Sequence, residues 1–206
     1  MGMRHPWASL MMTTLLAAAS LLTSTTAHAG YDEGKSAYNH GDFAQALHEW
    51  RPLAEQGNAK AQKRLGDMYA GAEGVQRDYK TAIEWYGKAA NQGLAGAQNS
   101  LGLIYESGEG VPRDAEMAVS WYRRSASQGN IDGQVALGAM YEYGHGVPQD
   151  KTIAYALYNL SPLNRYYAQA LQRQLTASQI SDGEMLTRRL LQPGGFLKAL
   201  DNAHGK

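Results

Sequence analysis

The chain of 206 residues contains no cysteine and has no surplus of either charge. Without cysteine there is no disulfide, so packing alone must hold the fold together, and a lipid anchor on a cysteine is excluded. The 19 basic residues balance 19 acidic ones, which indicates neither a polyanion nor an anionic membrane as a partner. With 44% hydrophobic residues, the composition is too apolar for a disordered chain.

The first 29 residues have the order of features that is typical of a secretion signal. Arg4 and His5 provide a positive start, residues 8–22 are apolar or small, and Ala27 and Ala29 precede a cleavage site. The apolar run has 15 residues, short of the ~20 that a transmembrane helix needs, and no later stretch is long enough to span a bilayer. We therefore predict cleavage after Ala29 and a bacterial periplasmic location, with full secretion as the alternative.

Phenylalanine is scarce, with two residues, whereas glycine (23) and tyrosine (13) are abundant, and this bias indicates a recurring unit. A shift of 36 residues aligns the chain with itself without a gap. The positions that recur include Leu65-Gly66, Tyr69, Gly74-Val75, Asp78, Ala82, Trp85-Tyr86 and Gln92-Gly93. A fixed period of this length predicts an array of supersecondary units.

Each unit is predicted to be a pair of helices. In the first unit, a helix over residues 61–70 places Ala61, Leu65 and Tyr69 on one face, with Asn58 as its N-cap. A glycine inside a helix costs ~1 kcal/mol relative to alanine. The recurrence of Gly66 therefore predicts that a neighbouring helix approaches closely there.

The second helix of each unit follows a glycine-rich loop. Asp78, Asp114 and Asp150 are expected to cap this helix, and Gly93 and Gly129 are expected to end it. A loop that cradles phosphate follows a strand and usually carries a lysine, whereas these loops have helices on both sides and contain no lysine. We therefore interpret the loops as joints between helices, which their apolar valines pin to the core.

Together these positions resemble the Sel-one-like repeat, a longer-looped relative of the tetratricopeptide repeat. The shared pattern is Ala-x3-Leu-Gly-x2-Tyr, Gly-x-Gly-Val-x2-Asp, Ala-x2-Trp-Tyr and Ala-Ala-x-Gln-Gly. The resemblance implies an all-α fold, a right-handed superhelical solenoid of helix-turn-helix repeats. It also implies a non-catalytic role in which the protein holds another protein and needs no cofactor.

The repeats are predicted at about 58–93, 94–129 and 130–165, between two atypical ends. Residues 30–57 resemble a tetratricopeptide unit with a shorter loop, because Asp42 precedes Asp78 by 36 residues. After the third repeat, Pro162 should break the last helix. Residues 166–206 are predicted to form a helical cap and a tail, in which Thr176 and Gln179 have capping-box spacing.

Side chains that could carry chemistry are few and isolated. His145 stands where other copies have glutamate, and Glu109 is its only obvious partner for a metal or acid–base site. The Trp-Tyr pairs recur at core spacing, and Arg123-Arg124 and Arg188-Arg189 are two isolated pairs on a neutral chain. No serine lies in a nucleophile motif. We therefore predict no enzyme activity, and an amidase or β-lactam-binding activity is the least favoured alternative.

The predicted binding site is the concave face, which the first helix of each repeat lines in tetratricopeptide-like solenoids. The candidates lie off the packing stripe of these helices and differ between copies, while the packing positions repeat. They are Tyr31, Lys35, Tyr38, Lys60, Lys63, Asp67, Asn99, Leu103, Glu106, Asp132, Val135, Ala139 and Glu142. Leu103, Val135 and Ala139 are expected to form an apolar centre with charged flanks.

Two biological roles fit this reading. An adaptor in an envelope assembly would have several weaker partners and an assembly defect as its phenotype. An immunity protein against a toxin delivered to the periplasm would have one tight partner and survival as its phenotype. Neither role requires nucleic acid or a metal, and we expect the free protein to be a monomer. Whether the tail, residues 196–206, occupies the groove stays open at this stage.

Overall fold

The structure, a computed structural model, describes residues 29–204, which are helical apart from their turns. The predicted signal peptide therefore lies outside the described residues except for Ala29. The helices are α1 (29–39), α2 (Phe43–Glu55), α3 (Ala59–Gly71), α4 (Tyr79–Asn91), α5 (Ala95–Ser107), α6 (Ala115–Ser127), α7 (Ile131–Tyr143), α8 (Lys151–Tyr158), α9 (Arg165–Gln172), α10 (Ala177–Leu190) and α11 (Phe196–His204). None of them is long and apolar enough to cross a membrane.

Each helix from α2 to α8 packs against the next one along the chain, which is the arrangement of a solenoid. The predicted all-α solenoid is confirmed. We call the first helix of each repeat (α3, α5, α7) an A helix and the second (α4, α6, α8) a B helix. The A helix α5 also contacts α7, so these two A helices are direct neighbours.

Polar side chains cap these helices at the predicted positions. The carboxylates of Asp78, Asp114 and Asp150 each accept a hydrogen bond from the backbone N–H three residues later, at 2.8–3.1 Å. Asn58 caps α3 in the same way, at 3.0 Å. In α5 the cap position is occupied by Leu94, which has no side-chain acceptor and packs against the core instead.

A glycine in each A helix lets a tyrosine of the paired B helix cross it. A Cβ atom at this position would lie 2.4–2.6 Å from the nearest ring carbon, closer than real side-chain contacts allow. The pairs are Gly66 with Tyr86, Gly102 with Tyr122, and Gly138 with Tyr158. The predicted close approach of a neighbouring helix is therefore confirmed, and the neighbour is the B helix of the same repeat.

Each glycine-rich loop connects the A and B helices of one repeat and also packs against the unit that precedes it. Gly74, Gly110 and Gly146 have φ angles of 70°, 78° and 69°, which side chains other than glycine rarely adopt. A Cβ at Gly110 would also lie 2.4 Å from Cβ of Tyr79, the first residue of the preceding B helix. The loop valines are half-buried against the core. These contacts support the interpretation of the loops as joints.

The repeat pattern changes after α8. The last B helix, α8, has 8 residues, whereas α4 and α6 have 13, and Pro162 opens a 3₁₀ helix at Pro162–Asn164. Helix α10 begins with the expected capping box at Thr176 and packs against α8.

The final helix closes the core from the side of the B helices. Helix α11 packs against α10 and α6, where Asp201 forms an ion pair with Arg123. Leu200 is fully buried and Phe196 is nearly so. The tail as far as His204 therefore covers the end of the core and packs on a B helix.

Candidate partner-binding face

The thirteen predicted binding residues lie on α1 and on the three A helices, and we refer to them together as the A-helix face. Lys35, Lys60, Leu103 and Asp132 are exposed, and the other nine are half-buried. The face therefore combines freely projecting side chains with others that the fold holds in place.

Three carboxylates on this face are held by tyrosines from the B helices behind it. The tyrosine hydroxyl donates to the carboxylate at 2.6–2.9 Å in all three repeats. The pairs are Tyr86 with Asp67, Tyr122 with Glu106, and Tyr158 with Glu142. An ionised carboxylate has about four acceptor positions. The tyrosine uses one of them, so Glu106 and Glu142 are oriented and can still accept other donors, whereas Asp67 already accepts from Lys63 as well.

In the first repeat, the carboxylate that accepts from the tyrosine stands at a different position of the A helix. Glu106 and Glu142 are 36 residues apart, but the residue 36 before Glu106 is Ala70. Tyr86 instead bonds Asp67, which is three residues earlier and on the same side of the helix. Sequence register alone therefore does not identify this carboxylate as the counterpart of the two glutamates.

The tyrosines of these pairs have raised pKa values. Burial raises the pKa of Tyr86, Tyr122 and Tyr158, and the adjacent carboxylate raises it further. A fourth pair follows the same logic, since burial and a 2.7 Å hydrogen bond to Glu73 raise the pKa of Tyr38 to about 12. All four hydroxyls therefore remain protonated donors at physiological pH.

At the amino-terminal end, two of the predicted aromatic residues pack mainly within the fold. The ring centroids of Tyr31 and Tyr38 lie 6.1 and 5.6 Å from that of Trp50. Arg64 lies over the rings of Tyr38 and Trp50, at 5.9 and 5.8 Å, and 3.6 Å from Asp67. Arg64 links the aromatic cluster to the A-helix face, although sequence analysis did not single it out.

A groove of about 790 Å³ lies beside this end, where the turns before α3 and α5 meet α1. Tyr31, Lys35 and Lys60 line it, so the fold brings three of the predicted residues together there. Lys63 does not join them, because its Nζ atom lies 2.9 Å from both carboxylate oxygens of Asp67.

In the middle of the face, Leu103 is the most exposed apolar residue. Its side chain is 52% exposed, whereas Val135 packs partly against the core and Ala139 is half-buried. Of the three residues expected to form an apolar centre, Leu103 is thus the one that offers free apolar surface. Asn99, one turn before it, has a buried Oδ1 atom with no hydrogen-bond partner among the described residues.

The carboxyl-terminal end carries exposed aromatic rings that sequence analysis did not single out. Tyr167 packs against Tyr158 with ring centroids 5.4 Å apart, and Tyr166 meets Tyr167 edge-on at 5.7 Å. Tyr143 and Tyr166 are largely exposed. Because α9 lies outside the repeat, the 36-residue period gives no signal for Tyr166 and Tyr167.

The other side chains considered for chemistry have ordinary structural surroundings. His145 is exposed beside the ring of Tyr143, and the described residues contain no group of three or more metal-ligating side chains. Arg123 pairs with Asp201, and Arg124 stacks over Trp121 at 4.6 Å. These two arginines are therefore used within the fold.

A family model and one solved structure agree with this architecture. The Sel1 repeat family model matches residues 59–94, 95–130 and 131–161. A solved Sel1 repeat protein from Oxalobacter formigenes is 32% identical with a TM-score of 0.59, and the match covers 63% of this chain and 53% of that one. A protective antigen of uropathogenic Escherichia coli strains that displays an SLR fold is 27% identical with a TM-score of 0.48, over 85% of this chain and 48% of that one. This chain thus spans about half the length of both. The search of curated proteins found no match.

Proposed function

Because the chain belongs to the Sel1 repeat family, whose repeats generally mediate protein–protein interaction, we propose that it is a periplasmic scaffold that binds a partner protein through the A-helix face. The face is taken as the concave side of the solenoid, where such scaffolds offer an extended surface. The predicted signal peptide supports the periplasmic part of the proposal.

The row of tyrosine-held carboxylates is the observation that carries this proposal. Asp67, Glu106 and Glu142 are fixed before any partner arrives, so little side-chain entropy is lost when a donor binds them. Leu103 stands exposed on the same face. Asp67 is already paired with Lys63 and Arg64, so a partner that fits offers basic or N–H donor groups to Glu106 and Glu142 and an apolar side chain to Leu103.

Affinity capture from the cell's own envelope extract tests the proposal. The baits are the wild-type protein, Leu103→Asp, and Met117→Asp as a matched control, because Met117 is a similarly exposed apolar side chain on the B helix α6. We expect a stoichiometric partner to be retained by Met117→Asp and lost from Leu103→Asp. Equal recovery by all three baits would place the site elsewhere, and recovery of no partner would contradict the scaffold role.

A charge-only variant separates the carboxylates from Leu103. Glu142→Gln keeps an acceptor for the hydroxyl of Tyr158 and removes the negative charge, so the fold should be retained. We expect slower association and a weaker dependence on salt. The identity of the captured protein would then distinguish an envelope-assembly component from a toxin.

A further inference from the structure

The amino-terminal end of the A-helix face contains a complete site for a guanidinium group. The Cζ atom of Arg64 lies 5.9 Å from the ring centroid of Tyr38 and 5.8 Å from that of Trp50. One of its nitrogens is 3.6 Å from a carboxylate oxygen of Asp67, whose other oxygen accepts from the hydroxyl of Tyr86 at 2.9 Å. Aromatic faces attract a guanidinium, and a carboxylate pairs with its charge. The protein fills this site with its own arginine.

The carboxyl-terminal end of the face carries the same kinds of groups. The hydroxyl of Tyr158 donates to Glu142 at 2.9 Å, and its ring packs against that of Tyr167 with centroids 5.4 Å apart. Tyr143 follows Glu142 in the chain, and Tyr166 meets Tyr167 edge-on at 5.7 Å. We call these four tyrosines the tyrosine cluster. Three of them, all except Tyr158, are 45–77% exposed, so a partner can reach their rings.

Among the described residues, no lysine or arginine lies over a ring of the tyrosine cluster, and none pairs with Glu142. Basic side chains of this protein do lie over five other rings, those of Tyr38, Trp50, Tyr79, Trp85 and Trp121. The positions of Lys63 and Arg64 in the first repeat are taken by Val135 and Ala136 in the third. The third repeat therefore lacks the cations that the first repeat supplies to its own carboxylate.

The charges around the tyrosine cluster favour a cationic occupant. The A helices α5 and α7 contain three acidic residues, Glu106, Asp132 and Glu142, and neither contains a lysine or an arginine. Residues 125–150 as a whole contain neither basic residue. Arg165, at the start of α9, is exposed and is not among the side chains that lie over a ring. A surface of one sign attracts a partner segment of the opposite sign.

We propose that this end of the face binds an arginine side chain of the partner protein, whose guanidinium pairs with Glu142 and stacks on the exposed rings of Tyr143 and Tyr167. The partner thereby supplies the cation that Arg64 supplies at the other end. Arginine fits better than lysine, because its planar guanidinium can stack on a ring while it donates to a carboxylate. The inference rests on the proposed function, because it names the group that the partner brings to one end of the A-helix face.

Titration with defined peptides, followed by NMR, tests the proposal. The probes are three blocked pentapeptides with four glycines and a central arginine, lysine or citrulline, which is an uncharged analogue of arginine with nearly the same shape. We expect the arginine peptide to shift the ring signals of Tyr143 and Tyr167 with half-saturation at about 5 mM. The lysine peptide should bind about twofold more weakly and the citrulline peptide about fivefold more weakly.

Two results of this titration would overturn the proposal. One is the absence of any shift of these two rings at about 20 mM arginine peptide, well above the expected half-saturation. The other is equal binding of the arginine and citrulline peptides, since only the charge distinguishes them.

A pair of charge variants tests the role of the carboxylate. Glu142→Gln keeps an acceptor for the hydroxyl of Tyr158 and removes the negative charge, so it should weaken the arginine peptide about fivefold. Glu106→Gln is the matched control, because Glu106 accepts from Tyr122 in the same way and contacts no ring of the tyrosine cluster by a hydrogen bond. This control should leave binding unchanged. Equal weakening by both variants would indicate general attraction to an acidic surface and contradict a specific site.

A pair of ring variants tests the stacking. Tyr143→Leu combined with Tyr167→Leu keeps apolar bulk at two exposed positions and removes the aromatic faces, so binding should weaken about fivefold while the fold is retained. Tyr143→Phe combined with Tyr167→Phe keeps the faces and should bind like the wild type. Unchanged binding in the leucine variant, or equal loss in both, would contradict stacking.

The peptide titration and the affinity capture can fail separately. If capture depends on Leu103 but the arginine peptide does not bind, the A-helix face remains the binding site and the arginine site is excluded. If the arginine peptide binds as expected but no partner is captured, the cation site remains and the scaffold role is contradicted.

Discussion

At the scale of single residues, the A and B helices of each repeat can pack closely because the glycine in the A helix has no Cβ atom. The ring of Tyr122 occupies the space that a Cβ at position 102 would need, and its hydroxyl is anchored to Glu106 at 2.6 Å. The ring is therefore held at both ends and cannot swing aside cheaply. The helix accepts the conformational cost of glycine because the alternative is a steric collision.

Gly102→Ala should destabilise the protein although alanine is the better helix former. We expect the free energy of unfolding to fall by about 1–3 kcal/mol, because the added methyl overlaps the ring of Tyr122. Gly87→Ala in helix α4 is the control, because no atom lies within 4 Å of the Cβ that alanine would add at this position. This substitution should stabilise the protein by ~1 kcal/mol. Denaturant unfolding measures both, and equal effects would contradict the packing argument.

The tyrosine–carboxylate pairs should make the fold sensitive to alkali. The pKa of Tyr122 is raised in the folded state, whereas an unfolded tyrosine titrates near ~10. The folded state therefore holds its proton longer, so stability is fully present below about pH 10 and is lost as the pH rises through the folded pKa.

Tyr122→Phe should lower the free energy of unfolding by about 1–2 kcal/mol at neutral pH, because Glu106 loses a hydrogen bond. The variant should also lose stability less steeply than the wild type above about pH 10. Unfolding curves at several alkaline pH values, with tyrosinate absorbance as the probe of ionisation, test this. Parallel pH profiles for the two proteins would exclude Tyr122 as a contributor.

At the scale of helices, short polar side chains cap the start of most repeat helices. The B helices all start at an aspartate whose carboxylate accepts from the first turn, and α3 and α7 start at an asparagine that does the same. Helix α5 has Leu94 instead, and the apolar contact of this residue with the core takes the place of the cap.

Removing a cap should weaken one B helix by a predictable amount. Asp114→Ala leaves the backbone N–H of Met117 without its 2.8 Å acceptor, so we expect a loss of ~1 kcal/mol in the free energy of unfolding. Asp114→Asn retains a side-chain acceptor and should cost only a few tenths of this. Thermal unfolding distinguishes the two, and an Asn variant as unstable as the Ala variant would exclude capping as the cause.

At the scale of the whole molecule, stability depends on the contacts between adjacent repeat units. The core of the third repeat continues into α9, α10 and α11, whereas α2 and α3 share a separate core around Trp50. In a solenoid each unit contacts only adjacent units, so damage to one end is expected to remain local.

Leu200→Ala should destabilise the cap and the third repeat first. Leu200 is fully buried, so we expect a loss of about 2–5 kcal/mol, while Leu197→Ala, at a 43% exposed position of the same helix, should be close to neutral. Hydrogen exchange should accelerate in α8 and α10 and remain unchanged in α2 and α3. Uniform acceleration along the chain would show that the molecule unfolds as one unit.

Several parts of this architecture can be read from the sequence because they depend on local rules. The 36-residue period, the aspartate caps, the positive-φ glycines and the capping box at Thr176 each express a constraint within a few residues of chain. Even Gly66 predicts a close helix neighbour, since a glycine that recurs inside a helix requires a packing reason.

The sequence by itself determined the family, the repeat units and the helices, because these depend on local backbone geometry and on periodic apolar side chains. Only the tertiary structure decided which side chains are free to bind, because burial and hydrogen bonding depend on residues far apart in the chain. Tyr86 bonds Asp67, because the position that corresponds to Glu106 is Ala70 in the first repeat. Tyr38 packs against Trp50 within the fold. Gln134 lacks the hydrogen bond that Gln98 accepts from Gln128, and the residue 30 positions after it, Asn164, is shorter than glutamine and lies in the 3₁₀ helix beyond the shortened α8.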